Sequence, residues 1–276
     1  MQTLTEIRAM LADRGLTPKH RLGQNFLVDH NLITRLVSAS GVQAGDLVLE
    51  VGPGTGTLTE ELLSRGCEAV ACELDADMAE LLRERLGGRA GFTLVGGDCL
   101  ESKHEVSRAV MAALGDRRFR LVANLPYGAA TPLMLALLTD VPACEGQFVT
   151  IQREVADRLM APPGTKMYGV ISVVAQLLAE VSLIAKLPRE CFWPQPDVAS
   201  AMVSIVPRAD APQVDRAALA RFVQAVLGQR RKQLGSVLRG MGVELGDFPE
   251  GMDAKARAES LSPSQLLGLY RVSLAR

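Results

Sequence analysis

The chain has no C-x-x-C pair: its five cysteines, Cys67, Cys72, Cys99, Cys144 and Cys191, are odd in number and scattered. That excludes a disulfide framework and predicts reduced, mostly buried thiols in a cytoplasmic protein. The three histidines, His20, His30 and His104, share no ligand spacing with any cysteine, so no metal is expected. A long unbroken apolar run is also missing. The most apolar stretch, 170–187, is interrupted by Gln176, Glu180 and Lys186 and reads as a core helix followed by a strand, not as a membrane span. The N-terminus lacks the basic-then-apolar pattern of a secretion signal. Thr3-Leu4-Thr5-Glu6 has instead the form of a capping box that opens a helix. Internal repeats and low-complexity tracts are absent as well.

Strong net charge is the last thing lacking: the formal value is −1. Its distribution is uneven. Residues 1–45 carry +2, residues 46–125 carry −5, residues 126–206 carry −2 and residues 207–276 carry +4. Two basic ends around an acidic middle would let the termini grip a phosphate backbone. The 276 residues, 48% apolar and 22% charged, suffice for one large domain, or one large and one small, with a sizeable core.

Through the first half, strand-like and helix-like segments alternate, which predicts βαβ units and a mainly parallel sheet. Helices are expected near 29–40, 57–65, 75–86, 102–114, 131–138 and 153–160. Strands are expected at 47–51, 68–73, 92–96, 119–123 and 147–151. Beyond Val206 the texture changes: Pro207 and Pro212 bracket a linker, and helices follow at 215–227, at the basic 230–239 and after the capping box Ser262-Pro263-Ser264-Gln265. The expected division is a catalytic domain over 1–206 and a small all-α domain over 207–276.

The chemistry concentrates at strand ends. Glu50-Val51-Gly52-Pro53-Gly54-Thr55-Gly56 closes an apolar run and opens a helix, and its glycines let backbone N–H groups approach a ligand. A dinucleotide fingerprint would need glycine at 57, where Thr57 stands. The turn suits a Rossmann-like domain that holds S-adenosylmethionine, with Gly52 and Gly54 at the amino-acid end of the ligand. Glu73 closes the second strand, where a carboxylate accepts ribose hydroxyls. Asp98 closes the third and accepts from an adenine amine, with Cys99 and Leu100 walling the ring. Singly, each acid is commonly a solvated strand end; on consecutive strands they fit one elongated cofactor.

The fourth strand ends in Asn124-Leu125-Pro126-Tyr127. An exocyclic amine on a base is a poor nucleophile, because its lone pair is delocalised into the ring. Accepting its two N–H groups, from the Asn124 side-chain oxygen and a nearby backbone carbonyl, favours a tetrahedral nitrogen whose lone pair meets a methyl donor. Pro126 stiffens the loop, and Tyr127 offers a flat face for the base. The plain alternative is a turn with Tyr127 packed on the core.

These motifs, taken in order, resemble the ribosomal RNA adenine N6,N6-dimethyltransferases, which modify two adjacent adenines near the 3′ end of small-subunit rRNA. The likeness spans nearly the whole chain. It includes Leu22-Gly23-Gln24-Asn25-Phe26-Leu27, Glu73-Leu74-Asp75, Gln152-Arg153-Glu154, Phe192-Trp193-Pro194-Gln195-Pro196, Gln229-Arg230-Arg231-Lys232 and Arg257-Ala258-Glu259-Ser260. The resemblance implies a Rossmann-like methyltransferase domain, with helices on both faces of the sheet, followed by a small helical domain. It implies a cofactor site of Asn25, Leu27, Gly52, Glu73, Asp98 and Asn124, and places Phe192 near the target base opposite Tyr127. Arg230, Arg231 and Lys232 would bind rRNA phosphates. The small ribosomal subunit is the implied partner, the enzyme is expected to be monomeric, and a role in subunit biogenesis is implied. Two departures stand out: Gly128 where the family often has asparagine, and Asp197-Val198-Ala199-Ser200 in place of Lys-Val-Asp-Ser.

Three other readings remain. A related enzyme that methylates one adenine of large-subunit rRNA should differ in the Pro163-Gly164-Thr165-Lys166-Met167-Tyr168-Gly169 segment, which here looks like that of the small-subunit family, and in the C-terminal helices. A DNA adenine methyltransferase should show Asp- or Asn-Pro-Pro-Tyr and a separate base-reading domain. A non-catalytic assembly factor would have no need of the intact Gly52, Glu73, Asp98 and Asn124 set.

Overall fold

In the computed structural model, which describes residues 1–103, 105–230, 232–242 and 252–274, the apolar runs become the strands of one sheet. Strands β1 (Leu47–Val51), β2 (Glu68–Glu73), β3 (Phe92–Gly96), β4 (Phe119–Asn124), β5 (Cys144–Gln152), β6 (Ala179–Leu187) and β7 (Ser200–Pro207) lie in the order β3-β2-β1-β4-β5-β7-β6. Pairing is parallel from β3 across to β5. β7 then runs antiparallel to β5, with Ser200 opposite Gln152. β1 is buried along its whole length, which is why its sequence is an apolar run without alternation, Glu50 excepted.

The helices follow from their caps. α1 (Leu4–Ala12) starts at the expected capping box, with the Glu6 carboxylate accepting from the Thr3 N–H at 2.6 Å and the Thr3 hydroxyl accepting from the Glu6 N–H. α2 (His30–Ser40) is capped by the Asp29 side chain and ended by Gly41. α3 (Thr57–Ser64), α4 (Ala76–Leu86), α5 (Arg108–Leu114), α6 (Tyr127–Asp140) and α7 (Arg153–Leu159) alternate with the strands. Ile33, Leu36 and Val37 of α2 pack in one core cluster with Val48, Leu62 and Val122. α5 is shorter than the expected 102–114 helix. Leu100 pairs with Val106 in a small hairpin, and the Ser107 N–H bonds the Cys99 carbonyl, so the helix begins only afterwards.

The chain forms two compact units: Met1–Leu137 with Val141–Ala156 and Ser182–Val206, and Leu138–Asp140 with Asp157–Val181 and Pro207–Arg276. The second unit thus begins its last segment at the expected Pro207 but also takes in residues read as part of 1–206. The reason is apolar surface. α8 (Val170–Leu178) buries Ile171, Val173, Val174 and Leu178, and Val173 shares a cluster with Leu219 and Phe222 of α9 (Arg216–Leu227), Leu234 and Leu238 of α10 (Leu234–Gly240), and Leu266 and Leu269 of α11 (Pro263–Leu274). The buried Tyr168 hydroxyl donates to the Leu261 carbonyl at 2.8 Å. α10 does not extend back to Arg230, because Gln233 is held in an extended bridge with Arg257. Ser262 and Gln265 form the capping box that opens α11. No helix among the described residues is long and apolar enough to cross a membrane.

Candidate active site

The chain leaves β1 for β2 on one side and returns after β3 to β4 on the other, so the carboxyl ends of β1 and β4 flank a switch point where doubly wound sheets bind ligands. A cavity of about 290 Å³ opens there. The turn after β1 needs glycine for two separate reasons. Gly52, Gly54 and Gly56 have φ of 70°, 56° and 85°, and a Cβ at Gly52 would stand 2.8 Å from the Pro126 ring, one at Gly54 2.6 Å from the Phe26 ring. Phe26 in turn packs against Trp193, ring centroids 6.2 Å apart, and Arg8 lies 5.2 Å over the Trp193 ring.

At the end of β2, Glu73 is buried, and its two oxygens accept from the Gly54 N–H at 3.1 Å and the Asp75 N–H at 2.9 Å. Burial raises the Glu73 carboxyl above its ordinary range against the pull of those N–H groups. Burial also works to raise Asp75, but hydrogen bonds from Lys19 and Gln24 outweigh it and hold the group below its ordinary value. Leu74, exposed between them, lines the cavity. Asp98 lines it too, exposed, its Oδ1 accepting from the Leu100 N–H at 3.0 Å. Cys72 and Cys99 complete that wall, and burial pushes both thiols up to about 12, which favours the neutral form.

At the end of β4, the Asn124 Nδ2 donates to the Asn25 carbonyl at 2.8 Å. Among the described residues the Asn124 Oδ1 and the Leu125 carbonyl have no hydrogen-bond partner, whereas the Pro126 carbonyl already accepts from Ala129 and Ala130. Tyr127 is half-buried with its hydroxyl 3.4 Å from the Ser200 Oγ, and burial raises its phenol.

Asn25, Gly52, Gly54, Glu73, Asp98, Asn124 and Pro126 are therefore brought together around one cavity. Leu27, Leu125, Tyr127 and Phe192 are not among its walls. Leu27 and Phe192 face each other in a short antiparallel pair and sink into the core cluster, Phe192 only 3% exposed. Phe192 thus packs in the core, apart from the cavity walls. Of the basic group, Arg230 is paired with Glu259 at 2.6 Å, the Lys232 ammonium donates to the Gln229 Oε1 at 2.9 Å, and Arg231 lies outside the described residues, as does His104. No group of three or more His, Cys, Asp or Glu among the described residues is placed to hold a metal ion.

Some site residues escaped the sequence reading. Lys19 and Gln24 bind Asp75, and Leu74 and Phe26 line the cavity; the places of Gln24, Phe26 and Leu74 inside the quoted Leu22–Leu27 and Glu73–Asp75 segments hinted at this, and nothing in the sequence reading marked Lys19. Glu50, the first residue of the glycine motif, is 2% exposed, accepts from the Thr59 hydroxyl at 2.6 Å, and is raised by burial to about 8.

Comparison with known proteins agrees with this geometry. The model of the family described as ribosomal RNA adenine dimethylase matches residues 15–273. A ribosomal RNA small subunit methyltransferase A from Phenylobacterium zucineum is 38% identical over 277 residues, covering 100% of this chain and 95% of that one. Among solved structures, a dimethyladenosine transferase from Plasmodium falciparum superposes with a TM-score of 0.70 at 20% identity, covering 88% and 95% of the two chains. The 23S rRNA methyltransferase ErmE superposes with a TM-score of 0.65 at 26% identity, covering 90% and 99%.

Proposed function

The chain belongs to the ribosomal RNA adenine dimethylase family, and from that premise we propose that it places two methyl groups on N6 of each of two adjacent adenines near the 3′ end of small-subunit rRNA. The enzyme is an S-adenosylmethionine-dependent methyltransferase acting on ribosomal RNA. The residues present fit that cofactor: a glycine cradle that any Cβ would fill, a buried acid at the end of β2 and a cavity lined by both polar and apolar side chains. Asn25, Gly52, Gly54, Glu73, Asp98 and Asn124 would hold it, with Leu27 backing the wall from the core. When bound, S-adenosylmethionine supplies an electrophilic methyl carbon on a sulfonium sulfur.

One observation carries the reaction: the Asn124 amide is tied by its nitrogen to the Asn25 carbonyl, which leaves Oδ1 as an acceptor at the end of β4. Oδ1 takes one N6–H of the target adenine. The Leu125 carbonyl takes the other, since the Pro126 carbonyl is already used. Together they favour a tetrahedral amine with a localised lone pair. No general base is needed, because the methylated, cationic nitrogen is itself acidic. Tyr127, steadied near Ser200, stacks on the base, an interaction worth about 1–3 kcal/mol; the buried Phe192 supports the wall behind it. Dimethylation requires the site to admit a monomethylated amine and to exchange spent cofactor between turns.

Arg230, Arg231 and Lys232 would contact rRNA phosphates, Lys232 being free of any ion pair among the described residues. The same reading gives the small ribosomal subunit as partner, a part in its maturation, a monomeric enzyme and a cytoplasmic location. The catalytic division, 1–206 against a helical rRNA-binding 207–276, is kept as a division of labour, with 157–181 lending apolar surface to the second unit. Methyl transfer from labelled S-adenosylmethionine to small subunits lacking the modification tests the reading, with mass spectrometry of the rRNA nucleosides. Dimethyladenosine made by the native chain and not by Asn124→Ala supports it; binding without transfer by either would make the chain an assembly factor.

A further inference from the structure

The Asn124 amide has two ends of nearly equal shape and opposite hydrogen-bonding character. The reaction read above needs the oxygen toward the adenine amine, and nothing in the shape of the side chain selects that orientation. A backbone carbonyl selects it. It can only accept, so the Asn25 carbonyl, 2.8 Å from Nδ2, holds the amide one way round; turned over, two oxygens would meet at the same separation.

The Asn25 carbonyl is itself held by a clasp. The Gln24 Nε2 donates to the Asp75 Oδ2 at 2.7 Å, and the Gln24 Oε1 accepts from the Lys19 N–H at 2.7 Å. The Lys19 ammonium reaches the Asp75 Oδ1 at 2.6 Å and the Asp77 Oδ2 at 2.5 Å. Asp75 is a firm anchor: its side chain is 3% exposed, it caps α4, and its own N–H is bound by Glu73. Gly23, at φ 66°, turns the chain, and its carbonyl accepts from the Asn25 Nδ2 at 3.1 Å. Residues 19–25 are thus fastened to the end of β2 by Lys19 and Gln24 and meet the end of β4 through Asn25, while Gly23, Gln24 and Asn25 line the cavity between.

Resting on the proposed role of Asn124, we infer that Lys19 and Gln24 are positioning residues for methyl transfer: by clasping Asp75 they fix the Asn25 carbonyl, which fixes the catalytic amide with its oxygen toward the substrate amine. The clasp thereby joins the cofactor-binding end of the cavity to the reacting end.

The test uses the full chain with small subunits as substrate. Lys19→Met and Gln24→Leu should each lower kcat about tenfold, the worth of one net hydrogen bond in orienting the amide, with little change in the KM for rRNA; Lys19→Arg should restore kcat. In the protein without cofactor, the Asn124 side-chain NH2 resonance, assigned from its loss in Asn124→Asp, should show slow exchange in the native chain and fast exchange in both clasp variants. In the Asn124→Asp background, where both ends are oxygen, the clasp substitutions should cost no further kcat. Unfolding temperatures identify a variant that merely fails to fold, and the NH2 exchange of the other clasp variant then decides the matter. Clasp variants with native kcat and native NH2 exchange would overturn this inference alone. Retention of transfer by Asn124→Ala would instead overturn the reading of the site beneath it.

Discussion

At the end of β2 every oxygen of Glu73 and Asp75 is engaged by a donor of the chain, whereas at the end of β4, among the described residues, the Asn124 amide is tied through its nitrogen only, and its oxygen and the Leu125 carbonyl stay open. The two ends are built from the same material, a parallel strand running into a polar residue, and are finished for different tasks. A carboxylate oxygen retains a second lone pair after one hydrogen bond, so Glu73 can be locked in place and still receive ribose hydroxyls. An acceptor that must reshape an amine has to meet it without a competitor. On the proposed reading, holding belongs to the saturated end, and reaction to the open one.

Substitutions can break that contrast. The largest effect is expected for Asn124→Ala: transfer should fall by about 100-fold or more, with a much smaller loss of cofactor affinity, measured by single-turnover transfer alongside calorimetric titration. Equal losses in both would erase the distinction between the ends. Glu73→Ala should act the other way. Removing a group that accepts hydrogen bonds as a charge costs roughly 1.5–3 kcal/mol, so cofactor affinity should drop on the order of tenfold to a hundredfold while rRNA binding by filter retention stays native. Unchanged affinity would take Glu73 off the ribose.

Glu50 sharpens the comparison beneath the glycine turn. Its folded carboxyl is raised by burial to about 8 from an ordinary 4.5, so its contribution to stability is fully present below the lower value and is lost as pH rises through the higher one. Glu50→Gln, which keeps an acceptor for Thr59, should unfold at a higher temperature than the native chain at pH 8 and lose the native decline between pH 5 and 8. Parallel melting curves for the two proteins would show that Glu50 ionises without penalty. The smallest effect is expected for Gly128→Asn, which restores the residue common in the family. A Cβ there meets nothing within 4 Å and the backbone is not in the left-handed region, so stability should move by less than about 0.5 kcal/mol in a denaturant titration.

Much of the site could be read from the chain because it is local. An apolar strand that stops at a glycine turn, an acid or Asn-Leu-Pro-Tyr signals its own end, and Gly52, Glu73, Asp98 and Asn124 were placed that way. What could not be read depends on side chains meeting from far apart. Lys19 and Asp75 are 56 residues apart, and Asn25 and Asn124 are 99 apart, and neither pair leaves a periodic trace. The burial of Phe192 could not be read for a similar reason: it follows from a two-residue pairing with Phe26 and Leu27, too short to leave a strand pattern. The domain division shows the limit at larger scale. The apolar face of α8 announces a core without saying which one, and it joined the helices after Pro207.

Trp193 is the sole tryptophan of the chain, and it leans on the phenyl ring that roofs Gly54. All indole emission from this molecule therefore originates beside the cradle. A cofactor titration should therefore change that emission, an optical gauge of arrival and departure that needs no label or engineered probe.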